Sequence, residues 1–166
     1  MQRLHNELQE TVNLSVRQDD EIVYVERLTS DRSAMRVAHL IGARAPLHVT
    51  AVGKLFLLED GKEKVREYVA RTGLSVYTRN TIRDFESLHR ELERVHRLCY
   101  AFDNEEAEKG VSCVGAGIHD DEGRLVAGLS VSAPSNRLDK NWGPLVKDVA
   151  DAVSRAIGFR DGARAA

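Results

Sequence analysis

The chain has 166 residues, 42% of them hydrophobic and 30% charged, enough for one globular domain with its own core. With 26 acidic residues against 24 basic, a net charge of −2 and a pI of 6.3, it lacks the basic excess by which proteins grip nucleic-acid phosphates. No apolar run approaches the roughly 20 residues that span a bilayer, and the opening MQRLHNELQETVN has no apolar secretion-signal core, so a cytoplasmic location is expected.

From the N-terminus, Gln2 to Leu8 reads as a short amphipathic helix with Leu4 and Leu8 on one face. Thr11 to Arg17 alternates, with Val12, Leu14 and Val16 on one side and Asn13, Ser15 and Arg17 on the other, the pattern of a half-buried strand. A turn at Gln18-Asp19-Asp20 leads into a second strand, Glu21 to Leu28, so the two are expected to form a hairpin. Met35 to Ile41 suits a third strand before Gly42-Ala43-Arg44-Ala45-Pro46 breaks the pattern. A helix begins near Thr50, Gly61 interrupts it, and Lys62 to Arg71 forms a second helix that ends at Thr72-Gly73. Asp84 to Leu98 is helical, since Phe85, Leu88, Leu92, Val95 and Leu98 recur at steps of three and four. Cys99 to Phe102 is short and apolar, and Asp103 to Gly110 is an acidic loop. Val111 to Ile118 and Arg124 to Ser132 flank a polar turn ending in Gly123, which predicts a hairpin closed by Pro134. Gly143 to Ile157 is the last helix. This order predicts an α+β fold, an antiparallel sheet with helices on its faces. Residues 1–10 are expected to be a linker helix, 11–160 the domain and 161–166 a disordered tail. The abrupt helical start suggests a piece of a longer chain.

Several residues invite chemistry. Thr50 is a good N-cap, and the free N–H groups of Ala51 and Val52 at the positive end of the helix suit an anion, with Ala51 and Gly53 small enough for close approach. Ordinary capping explains the same residues. Ser130 and Ser132 are two apart and share one face of their strand, either turned inward to donate to a ligand or outward to solvent. Cys113 is a small polarisable wall or an inert buried thiol, and Asp103 an acceptor for a ligand or a cap for its own loop. His48 reads chiefly as a structural loop histidine, with the mouth of a pocket as the other option; Val37, Ala45 and Leu47 line a cavity or belong to the core.

Metal and catalysis are weakly signalled. Of His5, His39, His48, His89, His96 and His119, only His89 and His96 share a helix, seven apart and too distant for one ion; no metal or other cofactor is expected. Asp120-Asp121-Glu122 reads as a solvated turn. Cys99 and Cys113 make no disulfide framework and no zinc pattern. Gly53-Lys54 is not a P-loop and no G-x-S-x-G occurs, so an enzyme built on Cys113 stands only as an alternative, beside a ligand-free dimerisation module.

The run Pro46-Leu47-His48-Val49-Thr50-Ala51-Val52-Gly53-Lys54 resembles the PLHxTAxGK segment of the isocitrate-lyase-regulator (IclR) family. Thr11-Val12-Asn13-Leu14, Val23-Tyr24-Val25 and Thr78-x-x-Thr81 resemble further family segments. So do Tyr100-Ala101-x-Asp103-x-Glu105-Glu106-x-x-x-Gly110-Val111-x-Cys113-Val114 and Leu129-Ser130-Val131-Ser132-x-Pro134-x-x-Arg137. The likeness runs from about Leu4 to Gly158. It implies a GAF-like or profilin-like effector-binding domain of a transcription regulator, mostly a repressor, that binds a small carboxylic or aromatic acid. It implies self-association as a dimer or tetramer, and DNA contact through a winged helix-turn-helix domain absent from this chain. It also implies that Asp103, Cys113, Ser130 and Ser132 hold the effector together with Ala51 and Val52. Some members have Ser-Gly-Ala where Thr50-Ala51-Val52 stands here; Val52 narrows the pocket floor, so the likeness does not extend by itself to a very small effector such as glyoxylate.

Overall fold

The computed structural model describes residues 1–30, 32 and 41–160. Helix α1 (Gln2–Leu8) leads into strands β1 (Thr11–Gln18) and β2 (Glu21–Leu28). A short strand β3 (Arg44–Pro46) and a 3₁₀ turn (Leu47–Val49) precede helices α2 (Ala51–Thr72) and α3 (Phe85–Leu98). Strands β4 (Ala101–Asn104), β5 (Val111–His119) and β6 (Leu125–Pro134) and helix α4 (Trp142–Ala156) complete the chain. The six strands form one antiparallel sheet in the order β3-β2-β1-β6-β5-β4, so the α+β architecture is as the sequence predicts. Most of the segment expected as a third strand, with Val37 and His39 in it, lies outside the described residues, as does the expected tail at 161–166.

Two strands differ from the sequence reading. β3 falls where Gly42 to Pro46 reads as a break; among the described residues its three residues pair with β2 alone and end on Pro46, which an edge strand tolerates. β4 takes up Ala101–Asn104, so Asp103 belongs to a strand and not to the acidic loop. The break at Gly61 is as predicted: its φ of 77° and ψ of 168° interrupt the helical ladder inside α2.

The outer face of the sheet buries the aliphatic rows of β1, β5 and β6 (Val12, Val114, Ala116, Leu129, Val131) against Val146, Val149 and Ala150 of α4 and Leu4 of α1. The inner face carries Asn13 and Ser15 from β1, Gly128, Ser130 and Ser132 from β6, Cys113 and Gly115 from β5, and Ala101 and Asp103 from β4, as the strand register dictates. β1 is therefore not half-buried: Asn13 and Ser15 are as buried as Val12, because helices cover both faces. Glycine lets α2 come so near. A Cβ on Gly128 would stand 2.2 Å from Val52 Cγ1, and one on Gly53 would stand 2.2 Å from the Leu47 carbonyl oxygen. The start of α2 is thus pressed onto the polar middle of the sheet.

Candidate functional site

Helix α2 starts as its sequence demands. Thr50 has extended backbone, and its Oγ1 accepts from the Gly53 N–H at 3.1 Å while its carbonyl accepts from Lys54 N–H at 3.1 Å. The N–H groups of Ala51 and Val52 have no acceptor among the described residues. They open on a cavity of about 40 Å³ lined by Tyr24, Ala45, Thr50, Ala51, Val52, Asp103, Ala107, Cys113, Ser130 and Ser132, among others.

Across from those amides, Ser132 Oγ accepts from Asn13 Nδ2 at 3.0 Å and lies 3.1 Å from Cys113 Sγ. Ser130 Oγ, on the same face, makes no hydrogen bond with any described residue. Asp103 is 3% exposed. Its Oδ1 accepts from the Glu106 N–H at 2.7 Å. Burial, with a smaller push from the Glu106 carboxylate, outweighs that amide and nearby Lys54 and lifts its pKa from 3.8 to about 7. The Cys113 thiol opens on the cavity, yet burial and the neighbouring Asp103 push it well above its ordinary value. A protonated thiol bonded to a serine, with no histidine among the cavity's lining residues, is a poor nucleophile, which weighs against the Cys113 enzyme.

The loop that closes the cavity is ordered from within. Lys54, fully buried, donates to the Phe102 carbonyl at 2.7 Å and to Glu106 Oε1 at 2.6 Å. Thr78 Oγ1 donates to the Glu105 carbonyl at 2.6 Å and Thr81 Oγ1 to the Glu106 carbonyl at 2.7 Å. Within the expected acidic loop, Asp103 and Glu106 are thus both buried.

The geometry brings together Ala51, Val52, Asp103, Cys113, Ser130, Ser132 and Ala45. It does not bring in Leu47 or His48. Leu47 is sealed in the core with Tyr68 and Phe56. His48 Nε2 donates to the Ser75 carbonyl at 3.1 Å, which leaves Nδ1 to accept from the Tyr68 hydroxyl at 2.9 Å. Burial lowers the His48 pKa, so this neutral, bridging imidazole is structural. Sequence reasoning missed Asn13, Lys54 and Glu106; Asn13 on the polar row of a strand opposite two serines is the one signal that points to it.

A wider cleft of about 460 Å³ lies at the other end of the strands, lined by Leu55, Glu59, His96, His119, Lys147 and Arg155 among others. Its charges are largely spent on one another: Lys147 pairs with Asp151, and His119 lies 4.0 Å from Glu59. Of the residues singled out in the sequence, His96, Cys99 and His119 line it, and none of the expected effector-binding residues does. Among the described residues no group of three or more His, Cys, Asp or Glu side chains could hold a metal ion, and no helix is long and apolar enough to cross a membrane.

The family model for the C-terminal domain of the bacterial transcriptional regulator IclR matches residues 1–157. The HTH-type transcriptional repressor AllR of Escherichia coli K12 is 36% identical over 155 residues, which cover 91% of this chain and 57% of that protein. The chain therefore spans little more than half the length of this curated relative. Among solved structures, the fold is similar to that of the Thermotoga maritima IclR (TM-score 0.87, 32% identity, covering 95% of this chain and 65% of that one). It is also similar to the C-terminal domain of the E. coli transcriptional regulator KdgR (TM-score 0.83, 29% identity, covering 96% and 94%).

Proposed function

The chain belongs to the IclR family of bacterial transcriptional regulators, as their C-terminal domain, and from this premise we propose that it senses a small organic acid for a DNA-binding domain elsewhere in a longer protein. One observation carries the reading. Two amides at a helix start and the Ser130 hydroxyl, which have no hydrogen-bond partner among the described residues, surround one cavity together with the buried Asp103 carboxyl. The amides and the helix dipole receive the carboxylate. Ser130 and Ser132 donate to it or to a neighbouring oxygen, and Asp103, whose pKa is lifted to about 7, adds a donor in its protonated form, which prevails below neutrality. Tyr24, Ala45 and Val52 supply the apolar wall.

The size of the cavity favours an acid of few heavy atoms. At ~10–15 Å³ for each water-sized group, its 40 Å³ holds about three. An aromatic acid requires the loop at 105–109 to move. Occupancy changes DNA affinity only if the effector prefers one arrangement of the assembled protein over another, so self-association and α1 as the connection to the DNA-binding domain form part of this reading. Repression in the cytoplasm is the regulatory sense it favours.

The test is a thermal-shift and calorimetric series with glycolate, pyruvate and 4-hydroxybenzoate, since a ligand of the folded state raises its melting temperature. Small aliphatic acids are expected to bind, and Ser130→Ala to weaken them about tenfold, the worth of one hydrogen bond. Binding that is unchanged in Ser130→Ala and Asp103→Ala refutes the site.

A further inference from the structure

Lys54 is 0% exposed and yet sits three residues beyond Ala51, inside the turn that opens the cavity floor. Its ammonium reaches across to the other wall, where it holds the Phe102 carbonyl and Glu106 Oε1, with Glu91 Oε1 of α3 at 3.8 Å. Glu106 turns every polar group inward. Its N–H donates to Asp103, its carbonyl accepts from Thr81, and its carboxylate meets Lys54. The residue before it, Glu105, is forced to a positive φ of 59°. Ala107 and Glu108, which follow, line the cavity.

This is a costly way to gain stability. Burying two ions sacrifices hydration that their attraction recovers only with full satisfaction of their remaining groups. Glu106 Oε2 is buried with no hydrogen-bond partner among the described residues. An apolar pair of similar volume serves stability as well or better. What an apolar pair lacks is direction: it does not fix the loop's register against one particular turn of α2.

We propose that Lys54 and Glu106 are positioning residues, a buried latch that ties the cavity-closing loop to the same helical turn that presents the Ala51 and Val52 amides. Opening the cavity means parting this pair, so the latch sets how often a ligand enters or leaves. The proposal takes its functional meaning from the effector reading of the cavity, but its test uses no effector, so the two stand or fall separately.

Cys113 reports the opening. Its sulfur faces the cavity, which is too small for an aromatic disulfide reagent such as dithionitrobenzoate, so labelling requires the loop to lift. The exposed Cys99 is removed first as Cys99→Ser. In that background, Lys54→Met with Glu106→Leu is expected to keep its melting temperature within about 5 °C while Cys113 labels at least tenfold faster. A pair with a merely structural role would raise labelling only in proportion to a loss of global stability. An unchanged labelling rate in a folded double variant overturns the latch, and so does a rise that tracks global unfolding. Should the double variant not fold, Lys54→Met with Glu106→Gln removes both charges together and keeps the volume of Glu106 and its acceptor for the Asn104 N–H. Faster labelling at equal melting temperature is expected there too, and a rate equal to that of the unaltered loop overturns the proposal.

Discussion

Asp103→Asn tests the electrostatics of the cavity most directly. Burial lifts the Asp103 pKa from 3.8 to about 7, so between those values the native protein keeps a proton that the unfolded chain has released. Stability from this group is therefore complete below about pH 4, declines as pH rises, and is lost above about 7. At about 1.4 kcal/mol per pH unit, the window from 3.8 to about 7 amounts to about 4 kcal/mol of destabilisation carried above neutrality. Asn has nearly the same shape, its oxygen can still accept from the Glu106 N–H, and it carries no charge at any pH. Urea unfolding, followed by circular dichroism and by the fluorescence of the single tryptophan, Trp142, measures the two proteins from about pH 5 to about pH 8. The Asn variant is expected to be the more stable at the alkaline end, with the gap closing toward acid. Stability curves that run parallel across the range would refute the buried, proton-holding carboxyl.

Other perturbations separate the roles of neighbouring residues. Gly128→Ala drives a methyl into Val52 and is expected to cost about 1–3 kcal/mol in denaturant unfolding, with most of it recovered in the double variant with Val52→Ala. Ser132→Ala strands the buried Asn13 amide and is expected to cost about 1–3 kcal/mol, whereas Ser130→Ala, with no partner to strand, leaves the unfolding midpoint nearly unchanged. The affinity of a small carboxylate, read by calorimetry, is expected to fall from about pH 6 to about pH 8 as Asp103 ionises, and to lose that slope in Asp103→Asn. His48→Phe breaks the bonds to Tyr68 and Ser75 and lowers the melting temperature, while carboxylate affinity stays the same because His48 does not line the cavity.

Much of the cavity was legible because its signals are local. A threonine before an apolar helical run is a cap wherever it occurs, and two serines two apart share a face in any strand. The elements that escaped are those whose cause is distant. β3 and β4 are only three and four residues long, and one ends in proline, the other in asparagine; they exist because β2 and β5 offer edges to pair with. Asn13 and Ser15 alternate with valine and leucine as solvent-facing residues do, and only α2 lying across them makes them interior. Lys54 in a helix reads as a surface cation until Glu106, 52 residues later, arrives beside it. The partners of His48, Tyr68 and Ser75, belong to the far end of α2 and the turn beyond, so no local spacing announces them.

The sheet has β1 and β6 side by side at its centre, and that arrangement sets a timetable for the molecule's birth. Asn13 meets Ser132 across a sequence separation of 119. The inner edge of β1 stays bare until β6 is available to pair with it, and the entropy of closing so long a loop is met before any contact rewards it. During that interval the naked edge is a template for any other extended chain. Pairing strands so far apart in sequence raises the contact order, the property that slows folding.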